Sequence, residues 1–155
     1  EFFVEPGSDE EWHQKWVDER ISWWERQGVD KSKLEIIDVD KEDLSHYSKK
    51  TVDIMYEFPH GLEELEGIAN RTDFDIGSHT KNQKDFEINA DVIKNDDSVT
   101  KLAIQDKINN TWTIPYVIEP SAGVDSWVKS LRTTVGRRGW GRRHENGAFD
   151  TELCR

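Results

Sequence analysis

ELEGIANRTDFDI, residues 64–76, and PYVIEPSAGVD, residues 115–125, set glycine, carboxylates and one arginine where hydrophobic alternation calls for strands. Core strands are rich in β-branched and aromatic residues and poor in glycine and acids. These two segments therefore read as strands that carry a site. Gly67 and Ala69 keep bulk low on the first of them. They mark either a bulge or close packing, or a place where a ligand approaches the sheet.

The flanking sequence supplies the rest of an antiparallel sheet. Residues 50–58 alternate Val52, Ile54, Tyr56 and Phe58, residues 34–39 form a short β-branched run, and residues 62–69 make a third strand. Residues 86–93, 102–108 and 112–118 suggest further strands, separated by turns at KNDDS (residues 94–98) and at Asn109 and Asn110. Ser8 with Glu11 three residues later reads as a capping box, and Gly28 closes the helix it opens. Trp12, Trp16, Val17, Ile21 and Trp24 recur at near-helical spacing, a stripe expected to pack into the core. Residues 40–47 suit a short helix, and Thr72 is placed to cap a helical turn over residues 74–79. Strands in runs with helices set apart predict an α+β fold.

A chain of 155 residues with 34% hydrophobic content and 7 Trp can build a core. Its net charge of -11 is uneven, with -15 on residues 1–125 and +4 on residues 126–155. An acidic body repels phosphate backbones and makes residues 1–125 a poor surface for tight RNA binding. The lone Cys154 excludes an internal disulfide and fits a reducing compartment. No apolar run approaches the roughly 20 residues of a membrane span and no signal peptide is visible, so a cytoplasmic location is expected. His13, His46, His60, His79 and His144 show none of the spacings of zinc sites.

Four ordered blocks carry a family resemblance: EFFVEPGSDEEWHQKWVDER (residues 1–20), LSHYSKKTVDI (residues 44–54) and the two segments quoted first. Residues 1–125 resemble the catalytic domain of the dimeric type of glycyl-tRNA synthetase, a class II aminoacyl-tRNA synthetase, between its second and third signature motifs. The resemblance implies an antiparallel sheet flanked by helices and ATP-dependent ligation of glycine to tRNA-Gly through a glycyl-adenylate. It implies magnesium carried in with ATP, and a homodimer in the full-length enzyme, with most tRNA contacts outside this span. The chain opens at Glu1 on an apolar run, which reads as the end of a strand begun upstream, where the family's second motif lies.

The same resemblance assigns roles. Glu64 and Leu65 match a pair lining the ATP and amino-acid site, and Glu119, Pro120, Ser121, Ala122 and Gly123 match the glycine-binding turn. Glu119 accepts hydrogen bonds from the glycine ammonium in that reading, with the Ser121 hydroxyl adding another. Arg71, the only cation in the two segments, is either neutralised by a neighbouring aspartate or touches the substrate carboxylate or a phosphate; the family favours the second. Gly123, Val124, Asp125 and Ser126 fall on the ATP side, and Ile68, Ala122 and Val124 are candidates for a wall that excludes side chains larger than glycine's. Lys49 and Lys50 read as strand-edge charges, and Asp53, if it faces inward, requires a buried partner.

After GVD the family continues with an ATP-contacting arginine and an apolar helix, whereas this chain has Ser126. Residues 126–155 are expected to form a divergent, poorly packed tail with no helical apolar period after Leu131. RRGWGRR within it suits a nucleic-acid-binding tail. A reading-frame change suits it better: codons for residues 144–149 can be chosen so that a one-nucleotide shift gives Thr-Lys-Thr-Val-Leu, similar to a strand the family carries after this motif. Two functions stay open, a segment of a glycine-tRNA ligase and a non-catalytic remnant that keeps the fold and weak glycine or nucleotide binding.

Overall fold

The computed structural model describes the backbone of residues 1–139 and side chains as far as residue 132. Five strands form one antiparallel sheet: β1 (Phe2–Val4), β2 (Leu34–Asp38), β3 (Lys50–Phe58), β4 (Gly61–Thr72) and β7 (Tyr116–Ala122). Their spatial order is β1-β7-β4-β3-β2. Two further short strands, β5 (Ile104–Asp106) and β6 (Thr111–Thr113), pair as a separate hairpin. The helices are α1 (Asp9–Arg26), α2 (Phe74–His79) and α3 (Val124–Gly139). The fold is α+β, with the predicted site segments on adjacent central strands, β4 and β7.

Alternation along β3 separates the two faces of the sheet. Val52, Ile54, Tyr56 and Phe58 are buried and join Val17 and Trp24 of α1, Leu65, Ile68 and Ile118 in one cluster. Trp12, Trp16 and Ile21 are partly buried against it, as the helical stripe predicts. Glu66, a charge deep in this layer, is 1% exposed and is fully engaged: Trp24 Nε1 donates to its Oε2 at 2.6 Å and Arg20 Nε to its Oε1 at 2.6 Å. Buried His13 lies with Nε2 2.8 Å from the Ile68 carbonyl oxygen, so this nitrogen carries the proton, and burial holds the imidazole pKa below its ordinary value.

Several expectations are corrected. The Ser8 hydroxyl donates to the Glu5 carbonyl rather than closing a capping box, although α1 does begin after Ser8. Gly28 stops the helix with φ at 92°, the left-handed conformation that favours glycine. Residues 40–47 form turns instead of a helix, each closed over three residues by Asp43 N–H to Asp40 O and Ser48 N–H to Ser45 O. Residues 86–93 form no strand because their amides are taken elsewhere: buried Asp73 accepts from the Asn89 and Ala90 N–H groups, and Ser78 Oγ from Ile93 N–H. Asp73, not Thr72, precedes α2.

Helix α3 runs through the boundary expected at residues 125 and 126, with Trp127 N–H closing on Gly123 O and Ser130 fully buried. Residues 126–132 are helical and, Ser130 apart, exposed or half-buried. Residues 140–155, which hold most of RRGWGRR, lie outside the described residues.

The Glu66 cluster gives a stability test. Removing one partner of a buried ion pair strands the other charge, at a cost of about 3 to 5 kcal/mol. Urea unfolding of Arg20→Ala is expected to show a loss of that order, whereas Lys15→Ala, at the exposed pair with Glu11, leaves the midpoint nearly unchanged.

Candidate functional site

On the sheet face away from the apolar cluster, the register aligns side chains in rows across three strands. Thr51, Ala69 and Glu119 form one row, and Asp53, Gly67 and Ser121 the next. Met55 pairs with Glu64 beyond them. Two irregularities in β4 finish the arrangement. Between Glu64 and Glu66 the extra residue is Leu65, and between Asn70 and Thr72 it is Arg71. A bulge shifts the alternation by one residue, which sends Leu65 into the core at 1% exposure and leaves Glu64 on the open face.

The rows floor a cleft of about 340 Å³, lined by Asp53, Glu64, Gly67, Ala69, Arg71, Glu119 and Ser121, with Tyr47 and Leu44 from the loop before β3. Ligand pockets span roughly 300 to 1,000 Å³, so the cleft is of adequate size. Glu64, Arg71, Glu119 and Ser121 thus share one concave surface.

Arg71 is held on three sides. Nε and Nη2 donate to Asp75 Oδ2 and Oδ1 at 2.6 and 2.9 Å, and Nη1 donates to Glu119 Oε2 at 2.7 Å. The guanidinium carbon stands 3.8 Å from the Tyr47 ring centroid. Hydrogen bonding to Asp75 raises the Arg71 pKa and correspondingly holds Asp75 below the ordinary carboxylate value. The neutralising aspartate is therefore present, and a second carboxylate, Glu119, shares the same guanidinium.

Among the described residues no cation pairs with Asp53 or Glu64. A Cβ on Gly67 would lie 3.4 Å from both Asp53 Oδ1 and Glu64 Oε1, so the two carboxylates converge over the glycine. Burial raises the Asp53 pKa, and burial with the added negative charge of Asp53 raises that of Glu64. Asp53 faces the cleft rather than the core, which removes the need for a buried partner. In the sequence Asp53 stands only as a charge on an otherwise apolar strand, and neither it nor Tyr47 carries a signal of its place in the cleft.

The segment expected to form a glycine-binding turn, residues 119–123, divides between the two faces. Glu119 and Ser121 line the cleft, whereas Pro120 and Ala122 line a groove on the opposite face with Phe2, Trp16, Arg20 and Glu66. The residues proposed as an excluding wall do not form one in the cleft. Ile68 is fully buried in the core, Ala122 faces the other groove and Val124 is 72% exposed at the start of α3. Gly123, Asp125 and Ser126 also sit at this junction, where the Ser126 hydroxyl would be 3.4 Å from a Cβ on Gly123. Lys49 is more than an edge charge, since it pairs with buried Asp9 and with Glu10; Lys50 pairs with Asp38.

Among the described residues no group of three or more His, Cys, Asp or Glu could by itself hold a metal ion, and no helix is long and apolar enough to cross a membrane.

No family model matches the chain. Curated relatives do. It is 56% identical over 131 residues to the glycine-tRNA ligase of Thermus thermophilus, covering 84% of this chain and 26% of the relative. With that of Deinococcus radiodurans the identity is 58% over 126 residues, covering 81% and 25%. The chain is a glycine-tRNA ligase homologue. The enzyme of Thermobifida fusca is 52% identical over 128 residues. The chain spans about a quarter of the length of the glycine-tRNA ligases it matches, which are class II enzymes, and its own fold is an antiparallel sheet with flanking helices.

The carboxylate pair carries a pH signature. With raised pKa values, Asp53 and Glu64 retain protons in the folded state at pH values where the unfolded chain has lost them. Their cost to stability is absent below the ordinary carboxylate range and fully present above the raised values. Thermal unfolding of Asp53→Asn is expected to give a higher Tm than the parent near pH 7, by roughly 2 to 4 °C per kcal/mol recovered, with the gap closing toward about pH 4. A lower Tm near neutral pH would mean that Asp53 has a stabilising partner.

Proposed function

We propose that this span forms the amino-acid-binding and part of the ATP-binding site of a glycine-tRNA ligase. In the reaction a glycine carboxylate oxygen attacks the α-phosphorus of ATP, the bond to the β-phosphate breaks and pyrophosphate leaves. A terminal hydroxyl of tRNA-Gly then attacks the glycyl carbonyl of the adenylate, the anhydride bond breaks and AMP leaves. The observation that carries this reading is the convergence of Glu119, Ser121, Arg71 and Glu64 on one cleft floored by Gly67 and Ala69. The relatives, which are glycine-tRNA ligases, support it.

Each residue has work suited to its environment. Glu119 keeps Oε1 for the ammonium while Arg71 takes Oε2, and the Ser121 hydroxyl, one strand position further along the same face, accepts a second ammonium proton. Magnesium is commonly held by one or two carboxylates plus substrate phosphates, and the Asp53 and Glu64 oxygens fit that donor set. The metal would neutralise charge developing on the phosphates. Discrimination against alanine rests on one methyl, worth about 1 to 3 kcal/mol where a pocket accepts it, so a close floor at Gly67 and Ala69 must deny that space. The full-length enzyme would work as a homodimer and take most tRNA contacts from other parts of its chain.

Ser126, where the family has an ATP-contacting arginine, favours a second reading for this particular chain: the site still binds glycine but has lost most of its catalysis. Glycine titration and pyrophosphate exchange test the two together. Glu119→Ala is expected to weaken glycine binding by about tenfold or more, in line with the loss of a charge-assisted hydrogen bond. Exchange by the chain as it stands is expected to be on the order of 10² to 10³ below that of a full-length relative, with Ser126→Arg raising it. Glycine binding indifferent to Glu119→Ala would overturn the assignment. Robust exchange without the arginine would instead show that the Ser126 substitution is tolerated.

A further inference from the structure

We infer that Tyr47 and Asp75 are positioning residues that act through Arg71 to fix the Glu119 carboxylate. The inference rests on the reading of Glu119 as the ammonium acceptor and adds two residues that neither touch that oxygen themselves nor lie on its strand.

A glutamate on a strand has three side-chain torsions, and a carboxylate free to rotate would meet a small ammonium only part of the time. Arg71 removes much of that freedom by holding Oε2 at 2.7 Å. The arginine is itself long and flexible, so it can orient another group only if it is first oriented. Its guanidinium is a rigid plane with donors in fixed directions. Asp75 takes Nε and Nη2 in a bidentate pair, which sets the rotation of the fork within its plane. Tyr47 lies 3.8 Å beneath, which sets the plane itself. With both fixed, the Nη1 donor has one direction left, and Glu119 Oε2 lies on it.

The local sequence explains the convergence. Alternation from Gly67 and Ala69 puts the Arg71 side chain on the cleft face, and four residues later Asp75 is on the first turn of α2. Phe74, beside Asp75, packs against His46 and Tyr47 with ring centroids 5.2 and 6.4 Å apart. The loop before β3 and helix α2 are thereby locked around the arginine. Arg71 with Asp75 and Glu119 also carries a net charge of -1, so the clamp orients Glu119 without cancelling the attraction for a cation.

The test is glycine affinity of the full chain, by calorimetric or NMR titration, with unfolding measured in parallel. Asp75→Asn and Tyr47→Leu are expected to weaken glycine binding by about tenfold each, because displacing a binding group by about 1 Å is costly. Tyr47→Phe, which keeps the ring, restores most of the affinity. In a Glu119→Gln background neither Asp75→Asn nor Tyr47→Leu costs anything further, since both act through the same oxygen; a purely structural role would lower affinity equally in both backgrounds. If Glu119→Gln abolishes binding while Asp75→Asn and Tyr47→Leu bind as the parent does, the clamp is refuted and the ammonium assignment stands. If Glu119→Gln has no effect, the assignment itself fails. Solvent exchange of the Arg71 Nε–H, read by NMR without ligand, is expected to be slow in the parent and accelerated in Asp75→Asn and Tyr47→Leu; fast exchange in the parent would also refute the clamp.

Discussion

Strand β4 lies at the centre of the sheet, paired on both sides, and must serve two environments at once. Period-two alternation is the constraint on which everything else depends: Glu66, Ile68 and Asn70 point to the α1 side, whereas Gly67 and Ala69 floor the cleft. A slip of one residue would put Ile68 in the cleft and Gly67 in the core. The bulge at Leu65 makes one local exception, burying an apolar side chain and returning Glu64 to the cleft face, whereas Arg71, the extra residue of the second bulge, keeps the side that Gly67 and Ala69 set.

The two faces treat charge differently. On the α1 side Glu66 has Trp24 and Arg20, and Asp9, although burial alone would raise its pKa, is brought below the ordinary value by hydrogen bonds from Asn70 and Lys49. Such partners make burial tolerable and hold α1 to the sheet. On the cleft side Asp53 and Glu64 face each other across Gly67 without a cation among the described residues, and both pKa values are pushed up. Uncompensated like charges are a cost to folding that a cationic ligand relieves, and perturbed groups in a cleft are a signature of function. One cation, Arg71, serves the acids of the other half of the cleft.

Much of this was legible in the sequence, and the failures have particular causes. The extent of β3 follows from its alternation, and the meeting of ELEGIANR with YVIEPS follows from both being site-bearing strands. Treating EPSAG as one turn hid the division of labour, since Pro120 and Ala122 point opposite to Glu119 and Ser121 by simple strand geometry. Bulges cannot be seen from residue types alone, so Leu65 was assigned to the site when its extra position sends it to the core. Residues 86–93 have strand-like composition, but long-range hydrogen bonds to Asp73 and Ser78 determine their conformation. Tyr47 reaches the site only through the folded loop, for which the sequence carries no local signal.

The central claim is that the alternation of β4 and β7 places the ligand face on the side of Asp53, Gly67 and Ser121. A crystal structure of the chain with a non-hydrolysable glycyl-adenylate analogue tests it most directly. The account predicts the glycyl ammonium within hydrogen-bond distance of Glu119 and Ser121, over Gly67. An analogue seated on the other face, in the groove between Trp16, Pro120 and Ala122, would contradict it.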